Sequence, residues 1–332
     1  MPATSPAGGG VRVATMRSAV IAEPGRARLE HVPVNDPGPG EIRVRLEGCG
    51  VCGSNLPFWE GRSWFSYPGE PGAPGHEGWG EVDAVGEGVE GLAPGDPVAM
   101  LSSHAFAEYD VVAETDAVAL PPSLAGRPFP GEPLACAMNA FRRADIRRDH
   151  TVVVVGIGFL GALLTGLAAS AGARVIAISR RRYALNTAQA LGAEVAIPLE
   201  GRESVVHRVR ELTGGEGADR VLEVVGLQEP LDLAAELTRV RGRLVIAGYH
   251  QDGLRTVDMQ LWNWRGLDVV NAHERDPAVY VQGMREAIAA TVEGRLDPYP
   301  LYTHHFALDD LGGAMEAMRT RPEGFLKALV MP

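Results

Sequence analysis

The stretch Val152-Val153-Val154-Val155-Gly156-Ile157-Gly158-Phe159-Leu160-Gly161 decides the fold of the C-terminal half of the chain. Its four valines form a short apolar run that is typical of a buried parallel strand, and an apolar helical pattern follows Gly161. The turn between them has the spacing G-x-G-x-x-G. There Gly156 permits the tight bend, Gly158 lets the backbone approach a pyrophosphate, and Gly161 allows close packing of helix on strand. The stretch predicts a dinucleotide-binding turn.

Strand-like and helical patterns alternate on both sides of this turn, which favours a parallel sheet with crossover helices. Amphipathic segments such as Arg182–Leu191 and Pro230–Val240 read as helices between the strands. Six strands complete a dinucleotide fold. The six candidates are Thr151–Val155, Arg174–Ser179, Glu194–Ile197, Arg220–Val225, Arg243–Gly248 and Leu267–Asn271.

The N-terminal half has a different pattern. From Met16 to about Leu120, short alternating runs are separated by Pro/Gly clusters, which predicts a bent, mostly antiparallel barrel. The segment Leu301–Met331 returns to strand-like runs around one helix, Leu308–Met318, and we expect it to rejoin the first domain. The fold class is therefore α/β. It combines a catalytic domain over residues 16–130 and 290–332, discontinuous and mostly β, with a Rossmann domain over residues 131–289, after a disordered extension over residues 1–15.

Composition limits the possible functions. The 332 residues are 45% hydrophobic and carry a net charge of -11, so the overall field repels nucleic acid and anionic membranes. Three cysteines cannot close a disulfide framework, no export signal is visible at the N-terminus, and no apolar run is long enough to span a bilayer. We expect a soluble protein of the cytoplasm.

The end of the second strand decides which nicotinamide dinucleotide is preferred. An acidic side chain there would accept hydrogen bonds from the ribose hydroxyls of NAD, but Ser179 is followed by Arg180, Arg181 and Arg182. A hydroxyl and guanidinium groups suit a 2′-phosphate, which predicts NADP(H). Two alternatives stay open. The arginines form a solvated helix start, or one of them stacks on the adenine of NAD.

Three segments of the N-terminal half carry side chains of metal-ligand type. Cys52 lies in GVCGSN, His76 and Glu77 lie in GHEG, and Glu132 lies in GEPL. Each is weak alone, because a lone cysteine is more often a small buried residue and a glutamate before proline is more often a helix start. Together, ahead of a dinucleotide fold, they indicate a metal centre.

At these residues the sequence resembles the zinc-containing medium-chain alcohol dehydrogenases, and more closely their polyol (sorbitol) and threonine dehydrogenase branch. The resemblance covers Met16 to Met331. It is carried by GVCGSN, PGHEGWGEVDAVGEGVEGLAPGDPV, FAEY, EPLACAMNA, the glycine turn, LTGGEGADRVLEVVG and RGRLVIAG. It implies a GroES-like, barrel-type catalytic domain, a Rossmann domain and an active site in the cleft between them.

The resemblance also implies roles for the ligand-type residues. Cys52 and His76 would bind one catalytic zinc, Glu77 or Glu132 would supply the carboxylate, and a fourth position would stay open for substrate. Zinc would act as a Lewis acid on the substrate oxygen while the nicotinamide gives or takes a hydride. The Ser54 hydroxyl would pass on the substrate proton. Cys136 is expected to be buried and unligated.

Two departures from the family pattern concern the proton path and the metal count. Asn55 stands where relatives have an aspartate that orients the ligand histidine, and Pro57 stands where they have a histidine that carries the proton outward. The family's loop of four closely spaced cysteines is missing after the strand that ends near Leu101. The sequence therefore predicts no structural zinc and one zinc per chain.

The substrate pocket is expected outside the carboxyl ends of the parallel strands, after Gly248 and Val270. Polar groups there, including Tyr249, Asn271 and His273, suit a polar or polyhydroxylated substrate and would also border the cofactor. An equally good interpretation is that each of these residues belongs to a surface loop and has no role in binding. Further candidates are His250, Gln251, Asp252, Ala272, Glu274 and Arg275 beside the strands, and Asn55, Phe58, Trp59, Trp64 and His104 from the other domain.

The prediction is therefore a zinc-dependent enzyme that interconverts a secondary alcohol of polyol, cyclitol or amino-alcohol type and its ketone with NADP(H), NAD being possible. One alternative is a zinc-free quinone or enoyl reductase of the same superfamily, against which the three ligand segments argue. The other is a catalytically inactive dinucleotide-binding protein. The expected partners are a small alcohol or ketone and further copies of the chain, as a homodimer or homotetramer, with Trp262-Asn263-Trp264 closing the cleft or forming a subunit contact.

Overall fold

The computed structural model describes residues 14–332. In the N-terminal half, short strands alternate with Pro/Gly-rich turns, as the sequence pattern predicts. The elements are β1 (Thr15–Glu23), β2 (Arg26–Pro33), β3 (Glu41–Gly50), α1 (Leu56–Trp59), β4 (Glu77–Val85), β5 (Pro97–Met100), β6 (Tyr109–Ala113) and β7 (Ala117–Ala119).

Strands and helices then alternate regularly before the chain returns to short strands. The central elements are α2 (Gly131–Ala144), β8 (Thr151–Val155), α3 (Phe159–Ser170), β9 (Arg174–Ser179), α4 (Arg182–Ala190), β10 (Val195–Pro198), α5 (Arg202–Leu212), β11 (Ala218–Glu223), α6 (Gln228–Leu237), β12 (Thr238–Ile246), α7 (Met259–Arg265), β13 (Asp268–Asn271) and α8 (Pro277–Val292). The last elements are β14 (Tyr302–Ala307), α9 (Leu311–Thr320) and β15 (Lys327–Met331).

The central strands form one parallel sheet in the order β10-β9-β8-β11-β12-β13. This is the strand order of a complete dinucleotide-binding fold. The valine run of β8 lies in the middle of the sheet and is almost fully buried, as expected for a strand covered on both faces. The six-stranded Rossmann half is confirmed.

The second sheet joins the two ends of the chain. Its order is β14-β15-β3-β4-β5-β7. In addition, β6 pairs with residues 41–45 at the start of β3. β15 lies beside β3 through the pairs Leu329 with Gly50 and Val330 with Cys49. The return of the C-terminal segment is thus observed, and it brings the start of β15 next to the predicted ligand segments. The α/β fold with a GroES-like half is confirmed.

Several predicted boundaries need correction. The helix predicted over Pro230–Val240 ends at Leu237, because the chain is already extended at Thr238 and continues into β12. The helix predicted from Leu308 starts at Leu311, where Asp310 caps it by accepting a hydrogen bond from Gly313 N (3.1 Å).

The predicted N-terminal extension is also too long at its inner end. β1 begins at Thr15, which pairs with Pro33, and Val34 donates a backbone hydrogen bond to Ala14 O (2.9 Å). Residues 1–13 lie outside the described part of the chain. No helix of residues 14–332 is both long and apolar enough to cross a bilayer.

The glycine turn has the geometry that its spacing requires. Gly156 has φ +100°, where a Cβ would overlap the side chain of Val225. At Gly161, in the first turn of α3, a Cβ would overlap the backbone oxygen of Gly156. Gly158 differs, because a Cβ there meets no atom within 4 Å. The space over the start of α3 is open, and that helix start carries no side-chain cap.

This difference predicts opposite effects of alanine at two glycines of one turn. Gly161→Ala should lower the free energy of unfolding by about 1–3 kcal/mol, because the new methyl must displace backbone. Gly158→Ala should leave stability nearly unchanged and weaken dinucleotide binding, because its methyl enters the open space. Urea denaturation and dinucleotide titration of both variants check this, and equal losses of stability would contradict the overlap at Gly161.

Candidate metal centre and dinucleotide cleft

The backbone around Cys52 is fixed by Asn55. Cys52 follows β3 by two residues and precedes a single turn of 3₁₀ helix over Gly53–Asn55. The Asn55 side chain, almost fully buried, accepts a hydrogen bond from Cys52 N (2.9 Å) and donates one to Pro74 O (3.1 Å). Asn55 thereby ties the cysteine segment to the segment that leads into His76.

His76 lies immediately before β4, and a backbone carbonyl sets its tautomer. Its Nδ1 is 2.9 Å from Pro74 O, which can only accept, so Nδ1 carries a proton and Nε2 is the nitrogen left to face a metal. The Asn55 amide nitrogen is 3.5 Å from the same Nδ1, but both atoms are donors in this tautomer. The neutral carbonyl of Pro74 therefore orients the His76 ring. In relatives this role belongs to the aspartate that Asn55 replaces here.

Glu77 is fully buried at the start of β4 and forms an ion pair with Lys327 at the start of β15. Lys327 also donates to Val51 O (3.0 Å). Burial alone would lower the pKa of Lys327, but the charges of Glu77 and then Cys52 raise it, so its ammonium group stays charged. The second carboxylate oxygen of Glu77, Oε1, is buried with no hydrogen-bond partner.

Glu132 lies in the first turn of α2, facing the same centre. Cys136, one turn later, donates its thiol hydrogen to Glu132 Oε1 (3.3 Å). Burial, followed by the charge of Glu132, raises the pKa of Cys136 well above its ordinary value, which keeps it a protonated thiol. Cys136 is partly exposed as a whole residue, but its thiol is buried against this carboxylate.

Three of the four predicted ligands come together. One ligand atom each from Cys52, His76 and Glu77 lie within 4.8 Å of one another. Burial alone would lower the pKa of His76, but Cys52, Glu132 and Glu77 raise it to about 10. These neighbours favour positive charge at the position of His76, and a bound cation would also supply it. Sulfur, nitrogen and oxygen donors, with an unpartnered buried carboxylate oxygen, fit Zn²⁺.

Ser54 and Tyr280 carry hydroxyl groups near this centre. Ser54 is half-buried in the turn that follows Cys52. Tyr280, on α8, donates to Glu274 O (3.0 Å). Burial, and then the nearby Cys136 and Glu132, raise the pKa of Tyr280 well above its ordinary value, so the hydroxyl keeps its proton and remains a donor.

The glycine turn lies directly against the metal centre. Phe159, the first residue of α3, is buried under Tyr302, with ring centroids 5.8 Å apart, and Lys327 Nζ lies 4.9 Å from the Phe159 ring centroid. The Phe159 side chain therefore packs between the domains and does not project into the open space over α3. Leu160, the next residue of the motif, is half-buried at the helix start.

The end of β9 has the predicted residues in unequal roles. Ser179 is buried, and its hydroxyl accepts from Arg181 N (3.3 Å). Arg180 is exposed. Arg181 turns inward and donates to Ile157 O of the glycine turn (3.2 Å) and to Phe325 O of the other domain. The prediction placed both arginines on a ribose phosphate, whereas the hydrogen bonds of Arg181 go to two carbonyls.

A buried carboxylate shapes the cleft where β11 and β12 end. Glu223 accepts hydrogen bonds from Val225 N (2.7 Å) and Gly226 N (2.8 Å), and its other oxygen is 2.9 Å from His250 Nε2. Gly248 is forced by this arrangement, because a Cβ would overlap Gly226 N. The sequence pattern indicated His250 only as a pocket candidate and did not indicate Glu223, although Glu223 stands at the end of a strand, where functional side chains are expected.

Aromatic and polar residues border the neighbouring strand ends. Tyr249 is exposed and stacks on His273, with ring centroids 5.1 Å apart and an interplanar angle of 20°. Asn271, also exposed, accepts a hydrogen bond from His273 N (3.0 Å). The three residues named for the cofactor and substrate edge are therefore neighbours at one edge of the cleft.

Several candidates from the catalytic domain lie elsewhere. Trp59 is buried against α9 and donates its indole hydrogen to Glu316 (2.6 Å). Phe58 is buried and stacks on Tyr67, with ring centroids 5.0 Å apart. Neither side chain faces the cleft. Both are core residues of the first domain, and the local sequence gives no sign of the partner helix that covers Trp59.

Two domains, a dinucleotide turn and a metal-type donor set define a dehydrogenase, and comparisons with known proteins agree. Residues 38–122 match the family model of the alcohol dehydrogenase GroES-like domain, and residues 160–289 match that of the zinc-binding dehydrogenases. Human sorbitol dehydrogenase is 28% identical over 92% of this chain and 93% of its own.

Solved structures give the same answer. Alcohol dehydrogenase TADH from Thermus sp. ATN1 has a TM-score of 0.81 and 27% identity, over 95% of this chain and 99% of its own. 2R,3R-butanediol dehydrogenase from Bacillus subtilis has a TM-score of 0.83 and 26% identity, over 96% and 99%. The chain belongs to the medium-chain zinc-dehydrogenase family, near its polyol branch. It is an oxidoreductase of the alcohol dehydrogenase type.

The raised pKa of His76 predicts how the metal-free protein responds to pH. The folded pKa, about 10, lies above the ordinary value of 6.5, so the proton on His76 stabilises the fold fully below about pH 6.5. That contribution is lost as the pH rises toward 10. We expect the melting temperature of chelator-treated protein to fall over this range more steeply than that of chelator-treated His76→Asn protein. Parallel curves would contradict the prediction.

Proposed function

We propose that the protein is a zinc-dependent, NADP(H)-linked enzyme that interconverts a secondary alcohol of polyol, cyclitol or amino-alcohol type and its ketone. The observation that carries the proposal is the convergence of Cys52, His76 and Glu77 within 4.8 Å, beside the glycine turn. The alcohol dehydrogenase membership of the chain supports the reaction class. Zinc, the choice of NADP and the substrate class are our own inferences.

Cys52 Sγ, His76 Nε2 and Glu77 Oε1 would hold the zinc. Two contacts support this assignment: Pro74 O engages Nδ1 of His76 and leaves Nε2 for the metal, and Oε1 of Glu77 has no hydrogen-bond partner. Glu132 would face the remaining position, since within residues 14–332 its side chain accepts a hydrogen bond only from the weak Cys136 thiol. When bound, zinc would act as a Lewis acid on the substrate oxygen while the nicotinamide exchanges a hydride with the adjacent carbon.

The chain's own residues would position the substrate and move its proton. Ser54 would accept the proton of the substrate hydroxyl and pass it outward. Pro57 beyond it is buried and has no side chain that could carry out the next transfer. Water or the ribose hydroxyls would continue the path. Tyr249, Asn271 and His273 offer the polar edge that a polyhydroxylated substrate needs.

The residues at the end of β9 support NADP. Ser179 and Arg180 occupy the position where an NAD enzyme would carry an acidic side chain, so the ribose 2′-phosphate meets a hydroxyl and a guanidinium group instead. NAD would lack these charge-assisted contacts.

The two alternative functions fit the site less well. A zinc-free reductase has no use for a thiol, an imidazole and a carboxylate whose ligand atoms lie within 4.8 Å of one another. An inactive dinucleotide-binding protein would need neither the fixed tautomer of His76 nor the free oxygen of Glu77. Both features support catalysis.

The test is turnover and metal content on the same sample. We expect one zinc per chain, and NADP-linked oxidation within a panel of polyols, cyclitols, amino alcohols and simple secondary alcohols. Cys52→Ser should lose zinc and at least about a hundredfold of kcat while NADPH still binds, because the glycine turn lies on the other domain. Two zincs per chain, or full activity without zinc, would disprove the proposal.

A matched pair of variants separates the two glutamates. Glu132→Gln should keep zinc and lose turnover, whereas Glu77→Gln should lose zinc. Because Glu77→Gln also leaves Lys327 charged and unpaired in the interior, the double variant Glu77→Gln/Lys327→Met controls for folding. Retention of zinc by a folded double variant would remove Glu77 from the ligand set.

For the assembly we propose a dimer, alone or within a tetramer, formed at the outer edge of β13. In the described chain this strand ends the six-stranded sheet, and large apolar side chains lie exposed on the segment of chain between β12 and β13. These are Leu254 (99% exposed), Met259 (53%) and Trp264 (88%).

Trp264→Glu should therefore convert the assembly to monomers in light scattering coupled to size exclusion. The control Trp64→Glu alters an equally large, exposed tryptophan of the other domain and should leave the assembly intact. A monomeric parent protein, or dissociation by both variants, would contradict the proposed contact.

A further inference from the structure

Three arginines lie near the contact that joins the two domains at the end of β9, where Arg181 donates to Phe325 O. Arg180 and Arg181 follow that strand in the Rossmann half. Arg321 belongs to the catalytic half, where it ends α9 in a left-handed conformation (φ 48°) and donates its backbone N–H to Ala317 O (2.8 Å). Arg321 stands four residues before Phe325, whose carbonyl accepts from Arg181. The cluster therefore spans the boundary between the domains.

Arg181 is the structural member of this cluster. Its guanidinium group donates to Ile157 O and Phe325 O, and it is half-buried between the glycine turn and the last strand of the other domain. These bonds connect the two domains whether or not a phosphate is present. Arg181 is thus expected to serve any dinucleotide equally.

Arg180 and Arg321 differ, because neither forms an ion pair with a carboxylate within the described residues. By contrast, Arg319 on the same helix forms an ion pair with Glu316 (2.6 Å), which neutralises its charge. Burial and then the charge of Arg180 lower the pKa of Arg321, so the two guanidinium groups repel each other. Both arginines are exposed, and no carboxylate of residues 14–332 forms an ion pair with either of them.

We propose that Arg321, acting from the catalytic domain, holds the 2′-phosphate of NADP(H) together with Arg180. A dianion between two guanidinium groups turns their repulsion into two charge-assisted contacts. The phosphate then bridges the domains, and NADP(H) draws them together in a way that NAD(H) cannot. This inference rests on the proposed use of NADP(H) and adds a selectivity residue outside the dinucleotide fold.

The experiment compares four arginine variants with two pairs of ligands that differ only in the 2′-phosphate. The ligands are NADPH with NADH, and 2′,5′-ADP with 5′-AMP, titrated by calorimetry into the full-length protein. The variants are Arg321→Gln, Arg180→Gln, Arg181→Gln and, as a matched control on the same helix, Arg319→Gln.

We expect Arg321→Gln and Arg180→Gln each to raise the Kd of NADPH and 2′,5′-ADP about tenfold, with NADH and 5′-AMP unchanged. Rising salt should abolish this selectivity, because the contact is electrostatic and partly exposed. Arg181→Gln should weaken all four ligands alike, and Arg319→Gln none of them.

Two failures are distinguishable. If the parent protein binds 2′,5′-ADP no tighter than 5′-AMP, the proposed NADP preference is wrong. If the parent selects the phosphate and Arg180→Gln removes that selectivity while Arg321→Gln does not, the NADP preference stands and the role of Arg321 is overturned. Equal weakening of all four ligands by Arg321→Gln would also overturn it, because a merely structural arginine has that effect.

Discussion

The buried ion pair between Glu77 and Lys327 is the interaction on which the rest of the site depends. It places a positive charge behind a centre that otherwise contains a thiol and two carboxylates, which is the condition for burying them at all. Lys327 also donates to Val51 O next to Cys52 and lies against Phe159 of the glycine turn. The Lys327 side chain thus contacts the segment that leads to Cys52, the carboxylate of Glu77 and the start of α3.

Space at this point is as constrained as charge. Gly50 ends β3 directly beside the ion pair, and a Cβ there would overlap Glu77 and contact Lys327. The strand that leads to Cys52 can approach β15 only because this residue has no side chain. Sheet pairing and electrostatics therefore meet at one residue, which accounts for the close contact between the catalytic centre and the seam of the sheet.

The sequence predicted the features that depend on local pattern. The valine run, the glycine spacing and the six strand candidates each follow from neighbouring residues, and so did the ligand types in GVCGSN and GHEG. Strand limits were less accurate, because the helix-to-strand change at Thr238 is set by pairing with β11 rather than by propensity.

Features that depend on distant backbone could not be predicted. The Pro74 carbonyl that orients His76, the partner of Trp59 on α9 and the inward turn of Arg181 involve groups that no local pattern connects. Lys327 is the clearest case. In the sequence it is an isolated basic residue in an apolar strand, and such a residue predicts a buried partner without saying which one.

The position of β15 also has a consequence for folding during synthesis on the ribosome. The first domain lacks its seam strand, and Glu77 lacks its counter-charge, until the whole dinucleotide-binding half has emerged. Until then the N-terminal segment has an open sheet edge and a buried acid without its counter-charge. The Rossmann half is continuous in the chain and can fold around its own strands. Maturation of the catalytic half is therefore a late event that reports on completion of the entire polypeptide.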